Sequence, residues 1–153
     1  MKGNEKMNFE VRVKKLDERA KLPVYGSAYA AGADLYAVID GEITIGAGEN
    51  AFIHTGIAIE LPMGTVGLIY ARSGMACKKG LAPANKVGVI DCDYRGEVMV
   101  ALHNHTSEPK VVADGERIAQ LMVAPYYVAS FTETNELSDT VRGEGGFGST
   151  GSK

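Results

Sequence analysis

The stretch Gly88-Val89-Ile90-Asp91-Cys92-Asp93-Tyr94-Arg95-Gly96-Glu97-Val98-Met99-Val100-Ala101-Leu102 decides how this chain folds. Val98, Val100 and Leu102 are apolar at alternate positions, the spacing that lines one face of a β-strand. Val87 and Val89, with Asp91, share a face of the strand before it. Between them, Asp93-Tyr94-Arg95-Gly96 has the chemistry of a turn. The stretch therefore predicts a hairpin that holds Asn85 and Asp91 at its edge and brings Tyr94 near them.

The same period of two recurs outward in both directions. Phe9, Val11 and Val13 alternate with Glu10, Arg12 and Lys14, and Ile43 pairs with Ile45. Ile57, Ile59 and Leu61 follow, then Val66, Leu68 and Tyr70. Glycines punctuate the gaps, among them Gly41, Gly48, Gly64, Gly80 and Gly115. Short strands with turn signals about every 8–12 residues point to an all-β sandwich, jelly roll or barrel. Only Ser73 to Lys79 has the look of a helix, about two turns long, with the Ser73 hydroxyl as its cap. The apolar pattern ends at Leu137, which divides the chain into a β-domain, 1–137, and an arm, 138–153.

Composition sets the class. The 153 residues are 45% hydrophobic with a net charge of −3, as in an ordinary soluble domain. The acidic balance argues against nucleic acid and against polybasic membrane contact. No apolar run approaches the ~20 residues of a membrane span, and Met1 to Met7 lacks the apolar core of a signal peptide. Cys77 and Cys92 have neither C-x-x-C spacing nor metal partners nearby. They read as free thiols in a reducing compartment, the cytoplasm.

The arm ends in Arg142-Gly-Glu-Gly-Gly-Phe147-Gly148-Ser149-Thr150-Gly. It has little to bury, and ordering it costs about 1–2 kcal/mol per residue. Yet it carries a cation, an aromatic ring, two hydroxyls and many unhindered N–H groups. Those are the parts of a clamp that orders on an anionic ligand with a flat ring, a nucleotide. Gly143-Glu-Gly145-Gly-Phe147-Gly148 matches G-x-G-x-x-G, but too little chain follows for the helix that such a motif needs.

Several other pieces carry chemistry. Arg72-Ser73-Gly74 joins a cation to an approachable backbone at a helix start, which suits a phosphate, although a capped helix with a surface arginine reads the same way. Asn85 offers an amide that matches a base edge. Asp91 is a carboxylate able to act as a general base, or a plain turn residue. Asp34 lies in Ala31-Gly32-Ala33-Asp34-Leu35, and Gln120 in Gly115-Glu116-Arg117-Ile118-Ala119-Gln120-Leu121. His103 and His105 share a strand face without a third metal ligand at a convincing spacing. His54 reads as structural. No G-x-S-x-G elbow is present.

In this order the pieces resemble the five motifs of the trimeric dUTPase family. The first is Ala31 to Leu35, the second Arg72 to Gly74, and the third Gly88 to Glu97. The fourth is Gly115 to Leu121, and the fifth is the glycine-rich end. The resemblance implies a jelly-roll-like, distorted β-barrel subunit and a homotrimer with three shared sites, each closed by a neighbour's arm. It implies hydrolysis of dUTP to dUMP and pyrophosphate, with Asp91 activating the water that attacks the α-phosphorus. That activity keeps uracil out of DNA and supplies dUMP for dTMP synthesis. Asn85 and the backbone at Val89 and Ile90 would read uracil; Tyr94 would exclude a 2′-hydroxyl, and Met99 would line the pocket. Arg72, Ser73 and Gly74 would hold phosphates. Phe147 would stack on uracil beside Gly148, while Arg142, Ser149 and Thr150 grip the γ-phosphate. Mg²⁺ would sit on the triphosphate, with Asp34 and Gln120 reaching it through water. Ala71 departs from the proline or glycine often found before the family's arginine, which implies a differently stiffened loop. The same fold also serves dCTP deaminases and nucleotide-switched regulators. The complete arm favours the first over a deaminase, and Asp91 favours an enzyme over a pure binder.

Overall fold

Three sheets gather the strands of residues 9–146, the part of the chain that the computed structural model describes. In chain order the strands are β1 (Arg12–Lys15), β2 (Val24–Tyr25), β3 (Ala33–Tyr36), β4 (Glu42–Ile45), β5 (Asn50–Glu60) and β6 (Thr65–Tyr70). Then come β7 (Leu81–Pro83), β8 (Gly88–Ile90), β9 (Glu97–Asn104), β10 (Lys110–Ala113) and β11 (Arg117–Pro125). One sheet has the order β1-β5-β9-β7, a second β2-β3-β11-β6-β8, and β10 pairs with β4. Every pairing is antiparallel. The all-β, jelly-roll-like reading holds. Among the described residues no helix is long and apolar enough to cross a membrane.

The core lies between the two larger sheets. Ile53, Leu81, Leu102, Val112 and Ile118 are wholly buried, with Leu35, Ile45 and Ile57 nearly so. Val98, Val100 and Leu102 of β9 all face this core, as their spacing predicts. β6 runs in the opposite phase to the expected one. Its buried positions are Gly67 and Ile69, while Val66, Leu68 and Tyr70 are only half-buried on the other face. Gly67 is the reason: a Cβ there would lie 3.2 Å from the Ile90 Cβ and 3.3 Å from Leu121 and Leu61 methyls. The strand turns its missing side chain inward so that β6 can sit close to its neighbours. Val89 shares this outward phase and is exposed, whereas Gly88 and Ile90 face in.

The expected hairpin does not form. β8 pairs with β6 and belongs to the five-stranded sheet; β9 pairs with β5 and β7 in the other. Residues 91–96 are a crossover from one sheet to the other. Its turn closes earlier than expected, where the Tyr94 N–H donates to the Asp91 carbonyl at 3.1 Å. The Arg95 guanidinium braces the crossover by donating to the carbonyls of Cys92 (2.8 Å) and Tyr94 (2.9 Å).

The helix covers residues 73–79 as expected, but beyond its first two residues it is a π-helical turn, Met75–Lys79. Its start carries no side-chain cap, so the Ser73 hydroxyl does not close it. Met75 anchors the turn in the core, and Gly80 ends it at φ 71° by donating its N–H to the Met75 carbonyl. Past Pro125 there is no further strand among the described residues. Tyr127, Phe131 and Val141 are almost fully exposed there, with no packing on their own subunit.

Candidate active site

Two groups of polar side chains stand out, built by different strands. The first centres on Asp34 in β3. The antiparallel register sets Gln120 of β11 opposite Asp34, and Tyr70 of β6 opposite Gln120. The three residues form a row across adjacent strands, and Arg72 follows immediately after β6. Asp34 is buried, and both of its oxygens accept from arginines. Arg72 Nε reaches Oδ1 at 2.6 Å, and an Arg117 terminal nitrogen reaches Oδ2 at 3.1 Å. Arg72 also donates to the Arg117 carbonyl at 3.2 Å. A buried carboxylate needs such partners, because an unpaired one would lose its hydration without compensation. The carboxylate in turn fixes the two guanidinium planes.

Gln120 completes this group by donating its amide to the Ala71 carbonyl at 2.8 Å. That bond pins the loop at the position where the sequence departs from a stiffer residue. Gly32 leaves the room for Gln120, since a Cβ on Gly32 would meet the Gln120 Oε1 at 2.5 Å. Ser73 and Gly74 lie exposed beside this group, after Arg72.

The second group is a cleft of about 210 Å³ where the ends of the two larger sheets meet. Asn85, Gly88, Val89 and Ile90 line one side, and Tyr94, Glu97 and Met99 the other. Asp91 stands exposed at the end of β8, on the rim. The crossover makes this cleft. A hairpin would have closed β8 onto β9 and left no space between them.

The two groups are not brought together within one chain. In the β6–β8 pairing, Gly67 faces Ile90 and Ile69 faces Gly88. Asp91 therefore continues toward Val66, at one end of the ladder, and Arg72 leaves from the other. At about 3.3 Å per residue, they lie up to roughly 20 Å apart along the strand direction. One chain carries two separate groups, at opposite ends of the β6–β8 ladder.

The dUTPase family model matches residues 18–151, most of the chain and all five motifs. The chain belongs to the dUTPase family. It is 54% identical over 136 residues to the deoxyuridine 5′-triphosphate nucleotidohydrolase of Desulfitobacterium hafniense (strain DSM 10664 / DCB-2), covering 88% of this chain and 90% of that one. The enzyme of the same name from Syntrophotalea carbinolica is 46% identical over 141 residues, covering 92% of this chain and 96% of that one. Among solved structures, the fold is similar to a mutant dUTPase of Staphylococcus bacteriophage 80alpha with dUpNHpp. The TM-score is 0.83 at 27% identity, covering 94% of this chain and 99% of that one.

As a dUTPase, the chain holds more at the site than its sequence announced. Arg117 appears in the fourth motif, yet nothing in that string says that it shares Asp34 with Arg72. The carboxylate of Glu97, the last residue of the third motif, binds His54 Nδ1 and the Gly56 N–H, both at 2.8 Å. Sequence alone left His54 as structural. The alternation of β5 against β9 was the available signal, because their register sets His54 opposite Met99.

Phe147, Gly148, Ser149 and Thr150 lie outside the described residues. Arg142 lies within them, exposed, its Nε donating to the Gly145 carbonyl at 2.7 Å across a small turn. The donor chemistry bears on the metal. Among the described residues, no three His, Cys, Asp or Glu side chains are grouped to hold an ion. Both Asp34 oxygens are taken by arginines. Such a site does not cage a hard cation directly. It fits one carried in on the substrate's phosphates with its water shell kept.

Proposed function

We propose that this dUTPase-family chain hydrolyses dUTP to dUMP and pyrophosphate in a site assembled between subunits. The observation that carries this reading is the sorting of the family motifs into two half-sites at opposite ends of the β6–β8 ladder. The cleft half takes the nucleoside. Asn85 offers donors and acceptors to uracil, and the backbone at Val89 and Ile90 reads its edge. Met99 narrows the pocket, and Tyr94 lies beneath the deoxyribose. Asp91, on the rim, takes a proton from the water that attacks the α-phosphorus. The bond to the bridging oxygen of pyrophosphate then breaks.

The other half meets the phosphates. Arg72 spends two of its five N–H donors on Asp34 and on the Arg117 carbonyl, which leaves the rest for phosphate oxygens. Because the guanidinium is already oriented, little reorganisation is needed as charge moves to the leaving group. Ser73 and Gly74 add a hydroxyl and backbone N–H groups. Mg²⁺ would be carried by the triphosphate, with Asp34 and Gln120 reaching it through water, and would supply neutralisation of phosphate charge.

The reading includes a homotrimer, as the family resemblance implies, and the separation of the halves supports a site that draws on more than one copy. The apolar outer face of the five-stranded sheet supports it: Met122 and Leu68 lie opposite each other there on β11 and β6. The exposed Tyr127, Val128 and Phe131 support an arm that packs on a neighbour. Residues 138–153 act as the closing segment, with Arg142, Phe147, Gly148, Ser149 and Thr150 on the bound nucleotide. The free thiols Cys77 and Cys92 suit the cytoplasm, where the activity keeps uracil out of DNA and supplies dUMP.

The test is pyrophosphate release with Mg²⁺ from dUTP, dTTP, dCTP and UTP at equal concentration. Release from dUTP alone is expected. No release from any of them by the folded trimer would overturn the enzymatic reading.

A further inference from the structure

Tyr94 has two contacts that decide where its ring sits. Its hydroxyl donates to the Glu97 carbonyl at 3.0 Å. Its ring folds back over Gly96 so closely that a Cβ there would lie 2.3 Å from the hydroxyl oxygen. The ring is therefore placed by the backbone of residues 96 and 97, at the entry to β9. What places that backbone is unusual for a strand. The β5–β9 register shifts between His54 and Ala58, so ladder bonds are lost where β9 begins.

Side chains replace them. The Glu97 carboxylate accepts from the Gly56 N–H at 2.8 Å with one oxygen and meets His54 Nδ1 at 2.8 Å with the other. The Thr55 hydroxyl donates to the Val98 carbonyl. Gly56 holds its end of this arrangement rigidly. It sits at φ 65°, and a Cβ there would lie 3.0 Å from the Ala20 Cβ and 3.1 Å from the Asp17 Cβ. Glu97 itself lines the nucleoside cleft beside Tyr94.

We infer that Glu97, braced by His54, is a positioning residue that sets the height of Tyr94 and with it the discrimination between 2′-deoxy and 2′-hydroxy nucleotides. This rests on the reading of Tyr94 as the surface beneath the sugar. The chain of contacts runs from the β5 bulge, through the Glu97 carboxylate to its own carbonyl, and then to the Tyr94 hydroxyl. A shift of Glu97 moves the ring as a unit, because Gly96 and the 3.0 Å bond couple the two. A displacement of about 1 Å near a reacting substrate costs up to about 10²-fold in rate. Here it acts chiefly on the comparison of substrates, since the added space admits the hydroxyl that the native position excludes.

The experiment compares kcat/KM for dUTP and UTP in the full-length protein and in Glu97→Ala, Glu97→Gln and His54→Ala, with thermal unfolding as the check on folding. Glu97→Ala should lower the dUTP-to-UTP ratio by roughly tenfold or more, within the range that such misplacement allows. Glu97→Gln keeps an oxygen for the Gly56 N–H and should restore most of the ratio. His54→Ala, at a half-exposed position, should shift the ratio by a smaller amount in the same direction. If Glu97→Ala does not fold, His54→Ala decides the matter alone. An unchanged ratio, or an equal loss on both substrates, overturns the inference. A wild-type protein that releases no pyrophosphate from dUTP overturns the underlying reading instead, and the two failures are distinguishable.

Discussion

The Asp34 group and the Asn85–Tyr94 cleft solve opposite problems. Around Asp34 the charges satisfy one another: a buried carboxylate is shared by two arginines, and Gln120 ties down the loop that bears Arg72. Around the cleft Asn85, Val89, Tyr94 and Met99 are exposed, and the shape comes from backbone at a crossover between sheets. One half is prepared electrostatically before any ligand arrives. The other offers shape and waits for a ligand to fill it. Charge stabilisation depends on fixed dipoles and gains from such preparation. Selection of a base and sugar depends on exclusion, which needs a hole of the right form. Mutations should therefore lower folding stability as well as catalysis in the first half, and catalysis or selectivity with little loss of stability in the second.

The largest effect is expected at the rim of the cleft. Asp91→Asn should lower turnover of dUTP by about 10²–10⁴-fold, the usual worth of a general base, while the assembly and nucleotide binding persist. Pyrophosphate release together with size-exclusion chromatography checks this, and near-normal turnover would remove Asp91 from the mechanism. If the arm supplies positioning as proposed, deleting the chain from Arg142 onward should leave a folded assembly with activity down by roughly 10²-fold. Full activity of the truncated protein would contradict the closing role.

Asp34→Ala tests the contrast directly. It leaves Arg72 and Arg117 facing each other without their shared carboxylate. Removing one partner of a fully buried pair costs about 3–5 kcal/mol. With the Arg117 side chain 52% exposed, about 2 kcal/mol is the better expectation. That corresponds to a Tm lowered by roughly 4–8 °C for a chain of this size. Val89→Ser should do the reverse. At an exposed position on the cleft it should change stability by less than about 0.5 kcal/mol and yet weaken nucleotide binding measurably by calorimetry. A Tm loss at Val89 as large as that at Asp34 would erase the distinction between the halves.

The sequence carried some of this architecture and hid the rest for identifiable reasons. β9 was legible because Val98, Val100 and Leu102 alternate with residues that the fold leaves less buried, so period and burial agree. The phase of β6 is hidden in the sequence because the strand is apolar on both faces. The face that points into the core carries a glycine, which looks like no face at all. The hairpin failed for another reason. Turn chemistry at residues 93–96 says that the chain changes direction there, but not which sheet receives it. The site residues Asp34, Arg72, Gln120 and Asn85 were visible as motifs, whereas their division into two distant groups is a property of strand register. His54 and Glu97 meet only because β5 and β9 are neighbours, and no local pattern contains that.

The length of the β6–β8 ladder has a genetic consequence. An Asp91→Asn chain retains a sound Asp34–Arg72 group, and an Arg72→Ala chain retains a sound cleft and Asp91. Each protein alone is expected to be inactive. Unfolded together and refolded as a mixture, they would form hybrid assemblies in which some sites draw Asp91 from one chain and Arg72 from the other. Two dead proteins would then complement each other in the tube, and the recovered activity would count the boundaries at which unlike chains meet.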